Sequence, residues 1–79
     1  MKKEQKQLLY EIIKLKMQLF FLHMSDHLNM SDYALRDKLS SEKYKLEQRY
    51  NKKYGELPRW RHIEDVQNMQ KQLEKELNE

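Results

Sequence analysis

The chain has 79 residues, of which 37% are charged and 38% hydrophobic, and its net charge at pH 7 is +3. A chain of this length forms one small domain, and a single Gly and a single Pro leave too few turn residues for a sheet protein, which favours long helices with solvated faces. The absence of cysteine excludes disulfides and thiolate metal sites and makes the cytoplasm the expected location. The longest purely apolar run, residues 19–22, is far shorter than the roughly 20 residues that span a bilayer, so no membrane partner is expected.

The first predicted helix covers residues 3–24 and carries two apolar stripes. The first stripe has the spacing of a coiled-coil heptad, and the second lies about 100° further around the helix. Their members are Leu8, Ile12, Leu15, Leu19 and Leu22 in the first, and Leu9, Ile13, Met17, Phe20 and Met24 in the second. Together the stripes cover more than half of the circumference, which predicts a central helix with neighbours on two sides.

The second predicted helix covers residues 32–54. Ser31 is the preferred N-cap, with Asp32 in the first turn, and Ser25 is the alternative. Gly55 is placed to close the helix in the left-handed conformation. The apolar seam of this helix is narrow and consists of Leu35, Leu39, Leu46 and Tyr50.

Folding the second helix back along the first sets Lys16 against Glu42, each within an apolar face. A facing ion pair of this kind fixes the register of two helices. In the alternative arrangement, Lys16 extends to water and Glu42 lies at the rim of the seam.

The third predicted helix covers residues 58–77, with Pro58 near its first turn, where the missing N–H costs nothing. Its stripe is also narrow and consists of Ile63, Val66, Met69, Leu73 and Leu77. No repeat or flexible linker separates the segments. The sequence therefore predicts an all-α fold in a single domain, residues 1–79, in which an antiparallel helical hairpin and a third helix form a small bundle.

The sequence carries few of the patterns that indicate catalysis or metal binding. It has no Gly-rich phosphate loop and no cysteine nucleophile, which argues against an enzyme and against a bound cofactor. His23 and His27 are four residues apart, with Asp26 and Asp32 nearby, but a two-histidine pattern without a fixed third ligand does not predict a metal site.

A basic aromatic cluster follows the second helix and consists of Arg59, Trp60, Arg61 and His62. Five Arg or Lys residues and one Glu lie between positions 49 and 62, a composition that can bind nucleic acid by stacking and phosphate neutralisation. A lone Trp after a corner is more often the anchor that packs one helix on its neighbour. We expect Trp60 to be mostly buried as such an anchor, and keep the cluster as a possible second surface.

The stretch "SSEKYKLEQRY", residues 40–50, resembles the second-helix signature of the small aspartyl-phosphate phosphatases of the Bacillus sporulation phosphorelay. Ser40, Glu42, Leu46 and Tyr50 match the signature in spacing, and "IIKLKMQL", residues 12–19, is similar to the family's first helix. The resemblance covers about the first two thirds of the chain and implies a helical hairpin. Lys43 replaces the signature's Leu and Tyr44 its Asp, so the residue associated with phosphatase action is absent.

The wide apolar surface of the first helix favours a partner. Two narrow seams on the other helices are expected to leave a strip uncovered, and this strip predicts a homodimer or partner interface at Leu9, Ile13, Met17, Phe20 and Phe21. The leading interpretation is a small helical interaction protein that regulates or inhibits a larger protein, as bacterial regulators do. The alternatives are a phosphorelay phosphatase or its inactive relative, and a nucleic-acid-binding protein that uses residues 49–62.

Overall fold

The fold is an antiparallel helical hairpin with a third helix packed on its first helix. The computed structural model describes residues 2–24 and 28–78, and its helices there are α1 (Lys3–His23), α2 (Met30–Tyr54) and α3 (Ile63–Leu77). Within these residues, the contacts between helices join α1 to α2 and α1 to α3. The predicted all-α hairpin with a third helix is therefore confirmed, and α1 is the central helix.

A capping box starts α2 two residues earlier than predicted. The Asn29 side chain accepts a hydrogen bond from the Asp32 backbone N–H at 2.9 Å, and the Asp32 carboxylate accepts one from the Asn29 backbone N–H at 3.0 Å. This reciprocal pair satisfies two donors that the first turn leaves open, so Asn29 takes the N-cap position. The choice of Ser31 was wrong, since Ser31 lies inside the helix, and Ser25 lies outside the described residues.

Gly55 ends α2 in a backbone conformation that depends on glycine. Its φ of 97° is positive, as predicted, but its ψ of −159° is extended and not left-handed helical. L-residues rarely populate this region, which is essentially restricted to glycine. The Gly55 N–H still donates to the Asn51 carbonyl at 3.1 Å, which completes the last turn of the helix.

The third helix begins at Ile63, five residues later than predicted. Pro58 lies in the segment of residues 55–62 that connects the two helices, and His62 is the N-cap with an extended backbone. The cations Arg59 and Arg61 therefore precede the helix and stay out of its first turn, where they would oppose the macrodipole. That turn instead carries Glu64 and Asp65, which the macrodipole favours.

α3 runs antiparallel to α1 and completes the core. The hydroxyl of Tyr10 donates to the Glu74 carboxylate at 2.8 Å, and Lys6 lies 3.8 Å from Glu76. The hydrogen bond to Glu74 raises the pKa of Tyr10, because it stabilises the protonated phenol. The most deeply buried side chains come from α1 and α3, and they are Leu9, Ile12, Ile13, Val66 and Leu73. Each fully buried aliphatic side chain of this kind contributes about 1.5–3 kcal/mol.

Lys16 does not form the predicted pair with Glu42. Its Nζ lies 5.5 Å from the centroid of the Trp60 ring, and Glu42 is exposed on α2. The predicted ion pair was wrong because the connecting segment brings an aromatic ring to Lys16, which offers its charge a partner without burying a carboxylate. The alternative reading of Glu42, at the rim of the seam, agrees with its exposure.

Replacing Gly55 with alanine is expected to lower the free energy of unfolding by about 1–3 kcal/mol, since alanine pays strain at this φ and ψ. A Cβ at Gly55 meets no atom within 4 Å, so a steric clash does not contribute. Urea unfolding followed by circular dichroism measures the change. The exposed neighbour gives a control, Glu56→Ala, which is expected to stay within about 0.5 kcal/mol of the parent. Equal stability of the two variants would contradict the positive φ.

Candidate functional site

Exposed hydrophobic side chains are concentrated at one end of the hairpin. Within residues 2–24 and 28–78, seven large hydrophobic side chains are exposed, and Tyr44 is the one that lies further along α2. The other six belong to the last turn of α1 and the start of α2, and we call them the apolar end: Phe20, Phe21, Met24, Met30, Tyr33 and Leu35. Exposure reaches 59% at Phe21 and 86% at Met30, which is unusual for such side chains in a cluster.

The position of α3 explains why this end is uncovered. α3 contacts α1 from Lys6, beside Glu76, to Phe21, which lies with Gln67 at the edge of a small cleft. Ile63 begins α3 near this level of α1, so no turn of α3 extends over the end of the hairpin. The side chains beyond Phe21 therefore lie past the start of α3.

An apolar cavity lies beside the apolar end, between α1 and α2. Its volume is about 490 Å³, and its lining residues are Gln18, Phe21, Leu22, Leu35 and Leu39. Four of these five side chains are hydrophobic, and Phe21 and Leu35 also belong to the apolar end. The exposed side chains therefore continue into a recess and do not form a flat surface.

The structure divides the predicted interface into a buried part and an exposed part. Leu9 and Ile13 are fully buried and Met17 is 6% exposed, because α3 covers this stripe of α1 within the same chain. Their placement in an interface was wrong for this reason. Phe20 and Phe21 are exposed, and their rings meet edge to face with centroids 5.8 Å apart.

Sequence reasoning missed the contribution of α2 to the exposed surface. Leu35 was assigned to the seam with α1, but 46% of it is exposed, and Met30 and Tyr33 were not considered. The sequence did contain a signal, because Met24, Met30 and Tyr33 all lie beside the predicted turn between the first two helices. These side chains are covered only if the third helix begins early enough in the chain to reach that turn. The late start of α3 could not be read from the sequence.

The predicted second surface is built around a packed tryptophan. Trp60 is half-buried and packs on the core, while Arg59, Arg61 and His62 are exposed. Its ring also carries the Lys16 ammonium described above. This arrangement agrees with the expected anchor, because Trp60 keeps only a minor part of its surface exposed. It also leaves the ring less accessible to a stacking base than the cluster implied.

A cleft of about 420 Å³ lies beside Trp60. Its lining residues are Ile12, Lys16, Glu47, Leu57, Pro58, Arg59 and Trp60. Glu47 accepts a hydrogen bond from Lys43 at 2.7 Å, so its carboxylate is already engaged within α2. Because the lining combines cations with an acidic side chain, it does not favour one chemical class of ligand.

The histidine pair of the sequence lies partly outside the described residues. His23 is exposed at the end of α1, whereas Asp26 and His27 fall in the undescribed segment. Among residues 2–24 and 28–78, no group of three potential ligands from His, Asp or Glu is close enough to hold a metal ion. In the same part of the chain, no helix has the length and apolar character needed to cross a membrane.

Comparisons of the chain with family models, with curated protein sequences and with solved structures gave no significant match. The resemblance of residues 40–50 to the phosphorelay phosphatases therefore stays a prediction. Of its matching positions, Tyr50 is buried and Leu46 half-buried against α1, while Ser40 and Glu42 are exposed. Tyr44, at the signature's Asp position, is 63% exposed.

Truncation of Trp60 is expected to release the connecting segment from the core. Trp60→Ala should destabilise the protein by about 2 kcal/mol, below the 3–5 kcal/mol typical of a fully buried tryptophan, because part of the side chain stays in water. Thermal unfolding measures the loss, and Arg59→Ala, at an exposed neighbour, should melt like the parent. If Trp60→Ala also melts like the parent, the ring is not an anchor.

Proposed function

We propose that this chain is a small helical protein–protein interaction module that binds a larger protein and regulates or inhibits it. The observation that carries the proposal is the concentration of six exposed hydrophobic side chains at the apolar end. Monomeric proteins rarely leave contiguous apolar patches of large area in water, and such patches mark interaction sites. The proposal includes no catalytic residue and no cofactor, and its partner is a bacterial protein in the cytoplasm, the compartment expected for a chain without cysteine.

The chemistry of the apolar end suits a protein partner. Phenylalanine, tyrosine and methionine are enriched in the cores of interfaces, and methionine adapts its shape to the surface it meets. Burial of one such side chain by a partner contributes up to about 1.5–3 kcal/mol. Phe20, Phe21, Tyr33 and Leu35 lie on regular helices, and the Asn29–Asp32 capping box holds the start of α2. The surface is therefore ordered before binding, which limits the entropy that association costs.

We also propose that the chain forms a homodimer when the partner is absent. When two copies are related by a two-fold axis, the apolar end of one copy can pack against the apolar end of the other, so that each covers its partner's exposed side chains. Leu9, Ile13 and Met17 are buried within the chain and cannot contact a second copy. The proposed dimer contact is therefore made by Phe20, Phe21 and the side chains next to them.

Sedimentation velocity at high micromolar concentration tests the dimer. The parent is expected to sediment as a dimer, and Phe21→Glu as a monomer, because a charge in the contact would be desolvated on association. Tyr44→Glu is the matched control, since Tyr44 is similarly exposed at 63% but lies outside the apolar end, and it should remain dimeric. A parent that sediments as a monomer would sink the dimer while leaving the partner proposal open to the next test.

Affinity capture from the source cells tests the partner. The parent chain is expected to enrich a specific larger protein that Phe21→Ser does not enrich, whereas Tyr44→Ser enriches it normally. Both variants should melt like the parent, because both side chains are largely exposed. Binding of the purified partner, measured by calorimetry, then gives the affinity of each variant. Equal affinity for the parent and for Phe21→Ser would remove the apolar end from the interaction.

A further inference from the structure

A row of adjoining cavities follows the α1–α2 hairpin. Three cavities with volumes of about 580, 270 and 490 Å³ lie along it. Glu11 lines both the first and the second cavity, and Gln18 lines both the second and the third. The shared lining residues show that the three cavities adjoin one another, and we call this row of cavities the hairpin groove.

The lining of the hairpin groove repeats every seven residues. On α1 its floor includes Leu8, Leu15 and Leu22, and on α2 it includes Leu39 and Leu46. Leu15, Leu22 and Leu46 are only half-buried by the hairpin itself. A seven-residue repeat on two adjacent helices is the pattern that accepts side chains of a further helix. From Leu8 to Leu22 the floor extends over about 21 Å at 1.5 Å per residue.

The two ends of the hairpin groove differ in chemistry. At the first cavity, where α1 begins and α2 ends, Lys3, Arg49 and Lys53 are in the lining. The same lining includes Glu4, which lies 3.3 Å from Lys53, and Glu11, so it carries three cations against two carboxylates. At the opposite end the lining is almost wholly apolar and includes Phe21 and Leu35. The groove therefore has an excess of one positive charge at one end, with Lys3 and Arg49 as the cations outside the Lys53–Glu4 pair, and is apolar at the other.

We propose that the hairpin groove binds one amphipathic helix of the partner protein. Its hydrophobic side chains fill the recess beside Phe21 and Leu35, and its acidic side chains lie beside Lys3 and Arg49. An amphipathic helix placed in an apolar groove is a common mode of recognition. The bound helix would complete a four-helix arrangement with α1, α2 and α3. This inference rests on the proposed function and specifies the segment that the larger protein presents.

The charge distribution favours a foreign helix over a second copy in this groove. A second hairpin docked antiparallel would place its apolar end against the Lys3 and Arg49 end of the first. Docked parallel, it would bring the two basic ends together. Neither orientation matches charge with opposite charge, whereas a helix with acidic side chains at one end does.

A synthetic peptide provides a defined probe. It is an amphipathic helix of about 20 residues, long enough to follow the floor, with leucine at the heptad core positions and glutamates clustered at one end. A comparison peptide carries lysine in place of each glutamate. Fluorescence anisotropy measures the dissociation constants, and the glutamate peptide is expected to bind the parent chain more tightly than the lysine peptide.

Charge reversal at Arg49 tests the orientation of the helix. Arg49→Glu is expected to weaken binding of the glutamate peptide about tenfold, because repulsion replaces attraction at the same place. It should also make the lysine peptide the better ligand. Lys52→Glu makes the same charge change at an exposed site that lines none of the three cavities, and screening at 0.15 M salt limits its effect to about twofold. If reversal at Arg49 lowers the melting temperature, Arg49→Gln should still show about a threefold loss.

Two outcomes overturn the inference. The first is that the glutamate peptide fails to bind or binds no better than the lysine peptide, and the second is that reversal at Arg49 and at Lys52 weakens binding equally. The captured partner separates this inference from the proposed function. If Phe21→Ser loses the partner while Arg49→Glu binds it with the parent's affinity, the interaction module stands and the groove is overturned. Loss of the partner with both variants, but not with Lys52→Glu, supports both.

Discussion

The two apolar stripes of α1 impose the constraint on which the rest of the fold depends. A helix with apolar side chains over more than half of its circumference must be covered from two sides. α2 and α3 meet this need, since the helix contacts among the described residues join each of them to α1. The result is visible at Leu9 and Ile13, which are fully buried by a chain of only 79 residues. Packing on α1, and not contact between α2 and α3, holds the bundle together.

Periodicity in the sequence was sufficient for the helices but not for their starting points. The 4-3-4-3 spacing of apolar residues predicted the end of α1 to within one residue, because a long regular stripe fits a helix and no other structure. The predicted starts of α2 and α3, which relied on Ser31 and Pro58, were wrong for different reasons. Asn29 and Asp32 form a reciprocal pair that a single serine cannot match, and the packing of Trp60 and Leu57 keeps the connecting segment out of α3. The start of α2 therefore depends on a local motif that periodicity does not detect, whereas the start of α3 depends on tertiary contacts that the sequence pattern does not contain.

The candidate site was predicted in part, and the error has a geometric cause. The stripe with Phe20 was predicted to need cover beyond the narrow seams of the other helices, but the sequence does not reveal how far along α1 each neighbour extends. α3 covers Leu9 to Met17 and ends its cover near Phe21, so three of the five predicted interface residues are in the core and two are exposed. Lys16 was misassigned for a related reason. The Trp60 ring, from a segment distant in sequence, stabilises the Lys16 ammonium by about 0.5–1 kcal/mol. This interaction avoids the desolvation penalty of a buried ion pair.

The unequal lengths of the helices separate stability from interaction. α1 has 21 residues and α2 has 25, whereas α3 has 15, so the hairpin extends past the cover that α3 provides. Side chains inside that cover, such as Leu9, contribute to folding and are inaccessible to a partner. Phe21, at 59% exposure, contributes little to folding and is accessible. A longer α3 would bury the apolar end and stabilise the monomer, but it would leave less of the hairpin exposed to a partner. The short α3 therefore leaves apolar area uncovered, and on our proposal a second protein covers it.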